Sequence, residues 1–100
     1  MEISDAFRIK IGLVFSELAN VGTFLREHGH YERAIRVFLL LSKGDDTFEA
    51  GSYAYELGLC YEKMRDRSNA ERYFTIAARE NPSIPEYNEA LSRMKSAPEK

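Results

Sequence analysis

The chain has 100 residues, 44% of them hydrophobic and 30% charged, with a net charge of -2. This is an ordinary globular balance for one small domain. It lacks the basic face expected of a nucleic-acid binder and gives an anionic membrane surface nothing to attract. The single cysteine, Cys60, cannot form an internal disulfide. The longest aliphatic or aromatic run, Val37-Phe38-Leu39-Leu40-Leu41, is far short of a membrane span. Arg8 and Lys10 interrupt the apolar residues near the start, unlike a signal peptide. The expectation is a cytoplasmic protein with no membrane insertion.

Apolar residues recur at three- and four-residue spacing, and alternation of period two is nowhere sustained. Light punctuation at Gly29-His30, Gly44-Asp45-Asp46, Arg65-Asp66 and Asn81-Pro82 leaves five helical segments. The first runs from Ser4 to His28, with Ser4 or Asp5 as N-cap, and the second from Tyr31 to Ser42. The third runs from Thr47 to Met64. The fourth runs from Ser68 to Glu80, where Ser68 and Glu71 have capping-box spacing. The fifth runs from Ser83 to Ser96, with a second such pair in Ser83 and Glu86 and with Pro85 in the first turn. Residues 97–100 are expected to fray.

Two stretches of the chain are similar to each other. One reads Leu57-Gly58, Tyr61, Ala70, Phe74, Ala77, Pro82, and the other Val21-Gly22, Leu25, Ala34, Phe38, Leu41, Asp46. This pattern resembles the tetratricopeptide repeat. Small residues at Gly22, Gly58, Ala34 and Ala70 would let paired helices approach, and Phe38 and Phe74 would fill the space between repeats. Leu57, Gly58 and Tyr61 form one apolar face with Ala54. Ala34 to Ala70 is 36 residues, against about 34 in the family, so the extra length belongs near Gly44–Glu49. The chain departs from the pattern at Arg65, where the first repeat has Gly29. It departs also at Leu25, where the second repeat has Tyr61, and in lacking a closing proline in the first repeat. If residue 65 is left-handed, Arg there costs on the order of 1 kcal/mol.

The resemblance implies an all-α fold: two antiparallel helix–turn–helix repeats in a right-handed superhelix, with an extended first helix and a C-terminal capping helix. The boundaries are an extension at 1–14, repeats at 15–48 and 49–82, a cap at 83–96 and a tail at 97–100. It also implies that the first helix of each repeat lines a concave groove holding a peptide or helix of another protein. The groove side carries Asn20, Thr23 and Glu27 in the first repeat, and Ser52, Tyr55, Glu56, Leu59 and Lys63 in the second. Tyr55 and Leu59 can either meet a partner or lie under the capping helix. Ala19 and Thr23 stand where the family's carboxylate clamp has Lys and Asn, and Glu56 stands in a second Asn place. A carboxylate-tailed ligand is therefore not expected, and an apolar or basic peptide is.

A second candidate surface is the extension, where Phe7, Ile11, Val14, Leu18, Val21 and Leu25 have four–three spacing, with Ile9, Leu13, Phe15 and Phe24 beside them. It could fold against the second helix, whose Leu39 and Leu40 are surplus. Contiguous apolar surface favours instead an interface with another protein or a second copy. No catalytic constellation is present. Cys60 reads as a buried small residue and His28 and His30 as exposed turn histidines, with neither metal-ligand spacing nor a phosphate loop. Glu49, Glu56 and Glu62 read as a solvated helix surface. The expected function is a protein-binding adaptor without cofactor or metal. The alternatives are a small dedicated chaperone resembling those of bacterial secretion systems, and a fragment of a longer repeat array.

Overall fold

The computed structural model describes residues 5–44 and 50–96, with side chains for 16–43 and 51–96. These residues form five α-helices: α1 (Asp5–Glu27), α2 (Tyr31–Gly44), α3 (Ala50–Lys63), α4 (Arg67–Glu80) and α5 (Pro85–Ser96). There is no strand among them, so the chain is all-α. The expected helix start at Thr47, the tail at 97–100 and the side chains of Phe7, Ile9, Ile11, Leu13 and Val14 lie outside the described residues. No described helix is long and apolar enough to cross a membrane.

Each helix packs chiefly on its neighbours in the chain, most extensively α3 on α4. The molecule is elongated, 52 × 28 × 20 Å. Residues 51, 58 and 61 of α3 meet 80, 74 and 73 of α4, so that pair is antiparallel. In the α1–α2 hairpin the corresponding contact is Gly22 on Phe38.

The two hairpins turn by the same device. After α1, Gly29 takes φ 84°, His30 N–H reaches the Leu25 carbonyl (2.8 Å) and Gly29 N–H the Arg26 carbonyl (3.1 Å). After α3, Arg65 takes φ 63°, Asp66 N–H reaches the Tyr61 carbonyl (2.9 Å) and Arg65 N–H the Glu62 carbonyl (3.1 Å). Both are Schellman closures, which satisfy the last carbonyls of a helix through one left-handed residue. Glycine adopts that conformation freely; arginine does so against its own Cβ. Arg65→Gly is therefore expected to raise stability by about 1 kcal/mol, seen as a higher urea midpoint at unchanged slope.

Two helix starts differ from the sequence reading. Asp66, not Ser68, caps α4: its carboxylate accepts from Asn69 N–H (3.2 Å) and from the Asn69 side-chain amide (2.8 Å). The Schellman turn ends at Asp66, and an acid there is a good N-cap. α5 opens at Pro85, leaving Ser83 in the preceding turn. Proline suits a first helical position because its missing N–H would have had no partner.

The core runs along the row of helices. Ala34, Ile35, Phe38 and Leu41 pack with Tyr53, Leu57 and Cys60, joining the first hairpin to α3. Ala70 and Phe74 pack with Ala90 and Met94, and Ala54 and Ala77 with Tyr87, joining α3 and α4 to α5. Arg67 fastens the far end of α5 by two bonds to the Met94 carbonyl (3.0 and 2.6 Å), one of the carbonyls a helix end leaves without a backbone partner.

Candidate partner-binding groove

Tight hairpins put α1, α3 and α5 along one side, where cross-helix bonds tie them together. Glu56 on α3 accepts from Arg26 (2.5 Å) and Thr23 (3.2 Å) on α1. On its other side Glu62 accepts two bonds from Arg93 on α5, at 2.6 and 2.8 Å. Arg26 and Glu62 occupy the same place in the two hairpins, so the second rung repeats the first with the charges exchanged.

The sequence-predicted groove residues divide into three groups. Asn20, Glu27 and Lys63 are exposed, and Thr23 and Ser52 are half-buried. Glu56 and Glu62, read in the sequence as a solvated helix surface, are half-buried, and both carboxylates serve as straps between helices. Tyr55 and Leu59 lie against α5. The Tyr55 ring meets Phe74 at 5.8 Å and Tyr87 at 4.7 Å between centroids, and Leu59 packs on the Ala70–Phe74–Ala90–Met94 cluster. α5 therefore packs on this apolar pair.

Burial pushes the Tyr55 phenol up, with Arg93 opposing, Glu86 adding, and Arg26 and Glu56 contributing less. Four charges from three helices thus surround one half-buried ring. Burial works against the Arg26 charge, but the bond to Glu56 and its charge outweigh that cost and raise the guanidinium. Arg26, Glu86 and Arg93 belong to this face and were not among the groove residues named from the sequence. Arg26 and Glu56 stand 30 residues apart and Glu62 and Arg93 31 apart, with no local pattern to link them.

Cys60 is fully buried beneath this face. Its thiol is pushed up to about 11, first by burial and then by Glu56, with Arg26 opposing. At neutral pH it is protonated, the unreactive form of a cysteine. A thiol probe is expected to label it only at the rate of unfolding. The sign with pH follows: a thiol whose pKa is raised on folding contributes stability below its unfolded value, about 9, and loses it as pH rises toward about 11. Burial raises Tyr55 and Tyr61 in the same direction. Denaturation midpoints should fall across that alkaline window.

His28 lies at the α1–α2 turn, its ring stacked on Phe24 at 4.0 Å and Nδ1 2.9 Å from the Phe24 carbonyl; His30 is exposed. Among the described residues no three His, Cys, Asp or Glu side chains come together as metal ligands. Among the described residues, one surface hollow runs along α4 between Ser68 and Arg79 and another lies beside the α1–α2 turn. Comparison with family models, curated proteins and solved structures finds no match to this chain.

Proposed function

We propose that the chain is a non-catalytic, cytoplasmic protein-binding module of tetratricopeptide type. In this reading the face of α1, α3 and α5 takes a helix or extended segment of another protein. The observation that carries the reading is the equivalence of the two hairpins. Each sets a glycine (Gly22, Gly58) under a buried phenylalanine (Phe38, Phe74), and each turns on one left-handed residue 36 positions from its counterpart. That equivalence supports two copies of one unit, and α5 then acts as a cap with a polar outer side.

The partner's chemistry follows from what the groove leaves free. Arg26 and Thr23 are engaged by Glu56, so a terminal carboxylate would have to compete for them. Glu27 and Glu86 are exposed and unpaired among the described residues. An amphipathic segment with basic flanks suits that face, and one presenting an anion does not.

The test is affinity capture on the immobilised chain with mass spectrometry, followed by titration of the captured protein. Glu27→Lys and Asn20→Arg should weaken binding about tenfold or more, while Arg72→Glu on the outer face of α4 should not. Equal binding by all three would remove the groove. Recovery of one small client in fixed proportion would favour the dedicated-chaperone version, and a broad set of partners the adaptor.

A further inference from the structure

The two ends of the helical row differ. The outer side of α5 presents Asn88, Ser92 and Lys95 to solvent, as a terminal element of a stacked fold should. The outer edge of the first hairpin does not. Val21, Phe24 and Leu40 are 47%, 57% and 60% exposed, three of the four large apolar side chains most exposed among the described residues. At 3.6 residues per turn, Thr23 and Arg26, which reach α3, place Val21 and Phe24 on the opposite side of α1. Leu40 lies on the outer side of α2, away from Phe38 and Leu41 in the core.

We propose that this edge is the interface of a two-fold homodimer, in which α1 of each copy packs along α2 of the other. The argument for a second copy is that the edge complements itself. Gly22 beside Phe38 sets the hairpin register, which puts Glu17 level with Lys43, Val21 with Leu40 and Phe24 with Arg36. A two-fold axis parallel to the helices keeps those levels while exchanging neighbours. Glu17 then faces the other copy's lysine, Val21 its leucine, and Phe24 its guanidinium, a favourable ring–cation contact. All six side chains are exposed, and none belongs to an ion pair among the described residues, so the charges are available. Closed two-fold pairing through one self-complementary patch is the commonest oligomer geometry. This surface lies on the side of α1 opposite Thr23 and Arg26, the residues that reach α3.

Sedimentation equilibrium on the full chain, from low to high micromolar concentration, tests the proposal. The wild-type mass should approach twice 11.5 kDa, and Leu40→Asp should hold it at the monomer value with unchanged helical circular dichroism. Glu17→Lys should weaken the dimer about tenfold or more, since it places like charges together at two symmetric points. Adding Lys43→Glu should restore it. A wild-type chain that stays monomeric throughout would overturn the proposal. So would a dimer that survives both Leu40→Asp and Val21→Asp, or a double reversal no tighter than Glu17→Lys alone. Partner capture should persist in the monomeric Leu40→Asp variant, which separates failure of this interface from failure of the groove.

Discussion

Phe74→Ala is expected to remove about 3–5 kcal/mol of stability, the usual cost of emptying a buried phenylalanine site. A domain of this size has a total stability of about 5–15 kcal/mol, so the variant should sit close to the edge of folding. The reason is where the ring lies. Phe74 is fully buried, covers Gly58 on α3, meets Tyr55, lies under the Arg93 guanidinium at 5.9 Å, and packs with Ala90 and Met94 of α5. One side chain thus joins α3, α4 and α5, and its loss leaves a cavity at a three-helix junction. Urea unfolding followed by circular dichroism reads the effect. Phe24→Ala, which removes an exposed ring, is the control, and a similar midpoint shift in both variants would contradict the junction role.

Gly58→Ala should destabilise by about 1–3 kcal/mol even though alanine is the better helix former. A Cβ at this position would come within 2.5 Å of both Phe74 Cδ1 and Cε1. The ring is fully enclosed, so relief requires α3 and α4 to move apart. At Gly29 nothing lies within 4 Å, and the φ of 84° is the whole obstacle. Gly29→Ala should therefore cost only about 1 kcal/mol of backbone strain. A double-mutant cycle separates the two causes. Phe74→Leu shortens the side chain facing Gly58, so Gly58→Ala should cost less in that background, a coupling expected of contacting residues. The cost of Gly29→Ala should not change. Strict additivity at Gly58 would exclude the clash as the cause.

Helix periodicity and turn residues made most of the architecture legible. The five segments and the breaks at Gly29 and Arg65 could be read because apolar spacing and left-handed turn positions are local properties of the chain. The alignment with Gly29 marks residue 65 as the equivalent turn position, and the structure makes it left-handed. The cap of α4 was misplaced because Asp66 and Ser68 are both acceptable caps, and only the geometry of the preceding turn chooses between them. Candidate groove positions on α1 and α3 could be named from their register opposite the apolar stripe, but their contacts could not. Glu56 reads as an open surface charge until Arg26 is placed beside it, and Tyr55 and Leu59 read as an open apolar pair until α5 is laid across them.

The sequence by itself determined that this protein is helical and where its helices turn. These follow from interactions among residues close in the chain or repeated at a fixed interval. Only the tertiary structure decided which charges are spent on holding helices together. It also decided that α5 packs over Tyr55 and Leu59, and that Val21, Phe24 and Leu40 share one exposed edge. Those outcomes depend on how separate helices lie against one another, and contacts across 30 residues or more leave no periodic trace in the chain.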